Sequence, residues 1–233
     1  MYRYADRSLS ALARLYLKYF RRIKEDDEDL LELLIVLQGV YRDAYKSLRD
    51  AMYLTARATY KRVSADLQKR LAALSDDEAS RLLKDVMRRL QNASDFDEDD
   101  EIDMYFIDSL LNNPDPLLKY AIRPEFDRRR QRLYEGLTVS ENRRKDADKA
   151  SAELLRIAAQ ALDNATDAAN KRALEKNGVK YVKWNAILDL RTCAECRALN
   201  GTIFPIEDVP NKPHPRCRCY LEPVLKVEEL NDD

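Results

Sequence analysis

The residues best suited to chemistry are four cysteines and one histidine that lie close together near the C-terminus. Cys193 and Cys196 form a CxxC pair, and the segment His214-Pro-Arg-Cys217-Arg-Cys219 follows. Thiolates and imidazoles are the ligands that tetrahedral zinc prefers, and a CxxC turn lets one segment supply two of the four. The chain contains no other cysteine or histidine. This spacing predicts a small structural zinc module.

The five donors exceed the four positions of a tetrahedral zinc site, so one donor is left over. Our preferred ligands are Cys193, Cys196, His214 and Cys217, and Cys219 is the alternative to Cys217. If this segment is extended, Cys217 and Cys219 point to the same face, and the one that does not bind the metal packs beneath it. A pair of disulfides and a set of buried thiols remain as alternatives to zinc.

Basic residues near the donors would offset the charge of a thiolate-rich site, since three thiolates and one neutral imidazole around Zn²⁺ leave a net charge of about −1. We expect such cations to lower the thiol pKa values and to screen the site. The alternative is that these cations only face solvent. The cations nearest to the donors in the sequence are Arg191, Arg197, Lys212, Arg216 and Arg218.

The same residues argue against a catalytic role. Nucleobase deaminases carry H-x-E followed by P-C-x-x-C, whereas here the CxxC comes first and Pro-Arg follows His214. Five donors also fill the shell of one zinc ion without an open position for water. A Ser-His-Asp or Cys-His mechanism would have to use His214, the predicted ligand. With four glycines and neither a P-loop nor a GxGxxG motif, we expect no enzyme.

Long amphipathic helices are predicted to carry this module. Apolar residues at three- and four-residue spacing predict one helix from Ser8 to about Ile23. The acidic run 25–29 favours the start of a second helix, because carboxylates interact well with the positive end of the helix dipole. That helix continues to about Leu74. With only 4 glycines and 8 prolines, the chain is predicted to be mainly α-helical.

The middle of the chain gives mixed signals. A capping box at 75–78 predicts a further helix over 82–90, because its Ser and Glu side chains satisfy the first backbone amides. The acidic run 95–103 resembles a calcium loop only superficially and is interpreted as a solvated linker. A short helix is expected over 102–111, and 117–138, rich in arginine, shows no clear pattern.

The helical pattern returns over 140–176 and ends at Gly178, because glycine readily adopts the left-handed backbone found at helix C-termini. Beyond it, three runs rich in β-branched and aromatic residues predict short strands. These runs are 179–188, 201–206 and 219–227. This arrangement would place the zinc ligands at the ends of strands.

These elements predict a mainly α protein in which long amphipathic helices are followed by a small C-terminal β-rich zinc-binding module. The expected domains are a helical body over 1–177, the zinc module over 178–228 and a flexible tail over 229–233. A segment as short as the module has little apolar core of its own. Bound zinc would supply the missing stability.

The overall charge favours neither nucleic acid nor a membrane as a general partner. Lysine and arginine total 41 and aspartate and glutamate 42, which gives a formal net charge of −1. We see no apolar run long enough to span a bilayer and no secretory signal, and we expect the protein in a cytoplasm. The 13 tyrosines and the basic runs 128–130 and 143–145 are assigned to core packing and salt bridges, with local phosphate contacts as the alternative.

The C-terminal motif resembles that of the head morphogenesis, or Mu F-like, minor capsid proteins of tailed bacteriophages. The order W, DxRTCxxC, LxG, F and HPxCRC over about 45 residues carries the resemblance. The residues are Trp184, Asp189-Leu-Arg191-Thr-Cys193-Ala-Glu-Cys196, Leu199-Asn-Gly201, Phe204 and His214-Pro-Arg-Cys217-Arg-Cys219.

The resemblance implies a minor virion protein that is present in few copies and is not an enzyme. Its implied partners are the portal protein and the capsid or scaffold proteins, together with packaged or ejected DNA. Its implied location is the head interior or portal vertex of the virion, and the host cytoplasm during assembly. A zinc-module nucleic-acid-binding protein is the alternative function, and a salt-dependent DNA affinity would favour it.

Overall fold

The computed structural model describes residues 3–23, 30–72, 123–214 and 217–225 of the chain. Long helices come first, and a small three-stranded sheet follows, which confirms the predicted mainly α fold with a β-rich C-terminal part. In chain order the elements are α1 (Arg3–Phe20), α2 (Leu30–Ala72), α3 (Arg123–Thr138), α4 (Arg143–Lys176), β1 (Tyr181–Asn185), α5 (Ala194–Leu199), β2 (Ile203–Pro205), a 3₁₀ turn (Ile206–Asp208) and β3 (Tyr220–Pro223).

The first two predicted helices are confirmed within the described residues. α1 begins before the predicted Ser8 and ends at Phe20, where a turn through Ile23 replaces the last predicted helical residues. α2 contains 43 residues and runs without a break past Gly39. At 1.5 Å per residue it is about 65 Å long. The predicted elements at 75–78, 82–90, 95–103, 102–111 and 229–233 lie outside the described residues.

The described residues pack as two compact units. One unit contains 3–23, 30–55 and 123–165, and the other contains 56–72, 166–214 and 217–225. α2 and α4 therefore contribute residues to both units. The predicted boundary between a helical body ending at 177 and a module beginning at 178 stays a prediction.

The first unit is a helical core in which aromatic side chains meet edge to face. The ring centroids of Phe20 and Tyr41 are 5.7 Å apart, and Phe126 of α3 lies 6.3 Å from Tyr41. α3 is the helix that the sequence pattern left unassigned over 117–138. Its Arg129 forms ion pairs with Glu125 and Glu153, so this member of the basic run 128–130 has a structural role within the unit.

The second unit begins where α4 ends. Gly178 has a φ of 78°, and its amide donates to Glu175 O while the amide of Val179 donates to Leu174 O. This is the hydrogen-bond pattern of a Schellman motif, so the predicted helix stop at Gly178 is confirmed. Val179 then packs with Leu174 and with Leu67 of α2 in a buried cluster.

The sheet of this unit has the strand order β2-β1-β3, and both pairings are antiparallel. All three strands lie within the predicted runs. Val182 of the central strand is buried in the cluster with Leu67 and Leu174, whereas Trp184, two residues further on, is buried among the cysteines. The sheet thus joins the ends of the long helices to the candidate site.

Candidate metal centre

The CxxC pair lies at the start of the short helix α5 and not at the end of a strand as predicted. Cys193 is the N-cap residue, and its Sγ accepts a hydrogen bond from the amide of Cys196 at 3.3 Å. An N-cap side chain satisfies an amide that lacks a partner within the helix, so the motif initiates α5 and positions both sulfurs together. Of the four cysteines, Cys219 alone lies directly beside a strand, immediately before β3.

The second group of donors, in the segment 214–219 between β2 and β3, lies close to the CxxC pair. Cys196 Sγ lies 3.3 Å from His214 Nε2 and 3.5 Å from Cys217 Sγ. The five donors form two triads, Cys193–Cys196–His214 and Cys196–Cys217–Cys219, within each of which the ligand atoms all lie within 4.8 Å of one another. Cys196 belongs to both triads, so it is the centre of the cluster.

This donor set fits zinc in its chemistry and in its spacing. Four ligands at about 2.0 to 2.3 Å from a tetrahedral zinc ion lie about 3.3 to 3.8 Å from each other. The distances from Cys196 Sγ to His214 Nε2 and to Cys217 Sγ both fall in that interval. No disulfide joins any of the four cysteines, all of which are described, so the disulfide alternative is not adopted in this structure. The cluster can hold a metal ion.

The electrostatic environment differs between the two ends of the cluster. The hydrogen bond from the Cys196 amide lowers the pKa of the Cys193 thiol. Burial raises the pKa of the Cys196 thiol and of the Cys217 thiol, because the surrounding protein disfavours an isolated thiolate. An amide hydrogen bond from Cys219 to the Cys217 sulfur opposes part of this effect. A cation among these sulfurs would compensate for the burial of thiolates.

A hydrogen-bonded frame around Asp189 holds the loop that precedes the CxxC pair. Both carboxylate oxygens of Asp189 accept from the guanidinium of Arg218, at 2.6 and 2.7 Å. The Asp189 amide donates to Thr192 Oγ1 at 3.0 Å, and Oδ1 accepts from the amide of Arg191 at 2.9 Å. Arg218 lies between Cys217 and Cys219, so this pair connects the two donor segments.

Two of the nearby cations, Lys212 and Arg218, interact electrostatically with Cys217 and Cys219, in line with the predicted screening, and they also have oxygen partners. Arg218 pairs with Asp189, and its hydrogen bonds lower the pKa of that carboxyl. Arg197 donates to the backbone carbonyl oxygens of residues 189 and 192 at 3.2 Å. Lys212 pairs with Asp167 of α4 at 2.7 Å and donates to the Cys217 carbonyl oxygen.

These three cations have structural roles because carboxylate and carbonyl oxygens lie within their reach. Arg191 is exposed, and the side chain of Arg216 lies outside the described residues. Asp189 and Thr192 were missed as site residues. Their position in the run Asp-Leu-Arg-Thr directly before the CxxC pair is the signal that could have revealed them.

Two further parts of the motif shape the back of the site. Gly201 has a φ of 87°, and its amide donates to the Trp184 carbonyl oxygen at 2.8 Å, which closes the turn from α5 back to β1. Asn200 Oδ1 accepts from the amide of Ala186 at 2.8 Å. The Trp184 ring is buried against Cys196, Cys217 and Cys219 and meets Phe204 edge to face, with centroids 6.4 Å apart. The motif residues thus form one packed unit.

The structure places a three-stranded sheet and a short helix beside the ends of long helices, and together they present a cluster of Cys and His donors that could hold a metal ion. Residues 129–222 match the family described as Phage Mu protein F like protein, so this region of the chain is similar to the Mu F-like phage head proteins. The match contains all of α4, β1, α5 and β2, all but the last residue of β3, and all five donors. The resemblance found in the motif is thereby confirmed.

No curated protein and no solved structure matches the chain significantly. The family suggests a protein of phage head morphogenesis that assembles with other capsid components in the virion and is made in the host. Among the described helices, none combines the length and apolar character that a bilayer crossing requires.

Proposed function

We propose that this chain is a minor head protein that binds the portal or the inner capsid surface during head assembly, and that one structural zinc ion holds its C-terminal module together. The observation that carries the proposal is the convergence of five Cys and His donors inside the region that matches the phage head family. Metal would join two chain segments, 193–196 and 214–219, that are separated by β2.

Cys193, Cys196, His214 and Cys217 are the ligands in this proposal. Cys196 Sγ lies 3.3 Å from His214 Nε2 and 3.5 Å from Cys217 Sγ, so one sulfur is close to a donor on each side of it. The sulfurs of Cys193 and Cys217 each accept an amide hydrogen bond, from Cys196 and Cys219 respectively, and such bonds favour the thiolate that zinc requires. Cys219 is the left-over donor and packs against Trp184.

The proposed zinc is structural and the chain is not an enzyme. A closed site needs four protein ligands, and the cluster offers five donors, whereas a hydrolytic zinc keeps a position open for water. Structural zinc contributes on the order of 10 kcal/mol of binding free energy to small modules. That contribution would stabilise the loop frame around Asp189 as well as the cluster.

Metal content tests the zinc part of the proposal. The full chain purified without chelator should contain one equivalent of zinc by elemental analysis. After replacement with Co²⁺, the spectrum should show tetrahedral d–d bands and thiolate charge-transfer bands of the intensity given by three thiolates. A protein that is folded but binds neither metal would overturn the structural zinc.

Co-purification tests the assembly part. When the tagged full chain is expressed with the portal and capsid genes of the same head-gene cluster, the portal protein should be retained on the affinity resin. The chain should also be present in purified virions or procapsids. Its absence from both particles, together with no capture of portal or capsid protein, would reject a minor head protein.

A second candidate function, contact with nucleic acid, is favoured by the surface of α1 and the turn after it. This segment exposes six basic side chains against one acidic side chain, Asp6. The basic residues are Arg3, Arg7, Arg14, Lys18, Arg21 and Arg22. Phosphate contacts weaken as the salt concentration rises, because counterions released from DNA then gain less entropy. A mobility shift with duplex DNA that fades between low and physiological salt would therefore support this function. Unchanged binding by Arg14→Glu/Lys18→Glu would reject it.

A further inference from the structure

The loop between β1 and α5 exposes three large aliphatic side chains at four consecutive positions. Ile187 is 45% exposed, Leu188 64% and Leu190 102%, while Asp189 between them turns to Arg218. We call residues 187–190 the docking loop. Single exposed leucines need no explanation, but a contiguous apolar group surrounded by polar residues marks an interaction site.

The docking loop is held in one conformation before any partner is bound. The Thr192 amide donates to the Asp189 carbonyl oxygen at 3.1 Å, and Thr192 Oγ1 donates to the Ile187 carbonyl oxygen. Together with the Asp189–Arg218 pair, these bonds fix both ends of the loop. A preorganised loop loses little conformational entropy on binding, so its apolar side chains contribute more of their burial to affinity.

The charges beside the docking loop indicate the chemistry of the partner. Arg191 and Arg197 are exposed and flank the loop, and Arg197 donates one hydrogen bond to the Asp189 carbonyl oxygen in the loop and one to the Thr192 carbonyl oxygen just after it. Glu195 is the exposed acidic residue on the adjoining turn of α5. The charge of Asp189 is already compensated by Arg218. The positive charge around an apolar tip fits an apolar groove that carries carboxylates at its edge.

We propose that the docking loop inserts its aliphatic side chains into an apolar groove flanked by carboxylates on the head protein that this chain binds. The inference rests on the proposed function and names the surface by which it is carried out. The candidate metal centre would then help to position the docking loop, because the Asp189–Arg218 pair connects this loop to the segment that contains Cys217 and Cys219. Loss of metal would loosen the docking loop without removing it.

The test uses the full chain co-expressed with its head-gene cluster and captured by a tag, with the portal and capsid proteins quantified on the resin. Leu188→Asp/Leu190→Asp should reduce capture about tenfold or more, because the variant would have to bury unpaired carboxylates in an apolar groove. The matched control is Leu54→Asp on α2, whose side chain is 61% exposed, and its capture should be unchanged. Arg191→Glu should weaken capture less, and mainly at low salt.

The outcomes separate this inference from the proposed function. If the wild-type chain captures a head protein and Leu188→Asp/Leu190→Asp captures it equally, the docking loop is rejected while the head-protein function stands. If the wild type captures none, the proposed function itself fails. If the variant changes only self-association in light scattering, or only binding to anionic vesicles, the partner assignment is overturned. Equal zinc content in all variants shows that each is folded.

Discussion

Replacement of the central cysteine gives the sharpest test of the metal centre. Cys196 belongs to both triads and is buried, so Cys196→Ser removes one ligand whichever of Cys217 and Cys219 completes the site. Structural zinc sites with four ligands bind with about 10 to 16 kcal/mol. One ligand of four therefore accounts for about 2.5 to 4 kcal/mol on average, which corresponds to a zinc affinity about 10² to 10³-fold weaker.

Competition with a chromogenic chelator measures this change, and intrinsic fluorescence gives a second readout. The chain has one tryptophan, Trp184, which packs directly on Cys196, Cys217 and Cys219, so its emission should respond to metal removal. Cys219→Ser is the matched control, because it makes the same change at an equally buried thiol outside the proposed ligand set and should keep one zinc.

Two results would contradict this reasoning. If Cys196→Ser binds zinc as tightly as the wild type, Cys196 is not a zinc ligand. An equal loss in Cys219→Ser and Cys196→Ser would mean that Cys219 is a ligand, and the assignment of Cys217 would need to be replaced.

Three further predictions follow from the contacts of individual side chains. Arg218→Ala should increase proteolytic cleavage and amide exchange in 187–192 while zinc content stays at one equivalent, and unaltered exchange would show that Asp189 does not hold the loop. Trp184→Ala should destabilise the second unit by about 3 to 5 kcal/mol in chemical denaturation, because a fully buried ring is lost; a change below 1 kcal/mol, on the order of a surface substitution, would contradict its place in the core. The hydrogen bond from Arg22 lowers the pKa of Asp43, so its stabilisation is present above the unfolded carboxyl pKa of about 3.9 and is lost as the pH falls through the folded value. Asp43→Asn should therefore lessen the acid sensitivity of thermal unfolding between about pH 5 and 2, and an identical pH profile would rule this out.

The long helices were predictable because their signal is periodic and local. The apolar spacing of α2 and α4 and the glycine after Lys176 each act within a few residues, and all three appear in the structure. α3 was missed because its buried positions, Phe126, Leu133 and Leu137, are few and are separated by a dense run of arginines. Its helix forms because those arginines find carboxylates on the same face and on α4.

The sequence allowed the five candidate donors to be identified, but it gave no sign of the side-chain contacts that hold them in place. The five donors could be recognised because they are all the cysteines and the histidine of the chain, and because two of the cysteines have CxxC spacing. The frame around Asp189 depends on Arg218, which is 29 positions away in the chain, and such a pair has no periodic signature. The same holds for the ion pair between Lys212 and Asp167, which can be recognised only after the chain has folded.

Only four residues, 177–180, separate α4 from β1, and this short connection has a consequence for how the module could spread among proteins. Val179 and Val182 are covered by Leu67 and Leu174, so the sheet shares its apolar floor with the ends of two long helices. If the segment that begins at Gly178 were fused to an unrelated protein, Val179 and Val182 would lose their packing partners and become exposed to water. Recombination that moves the metal motif between phage genes should therefore succeed only when the supporting helices are inherited with it.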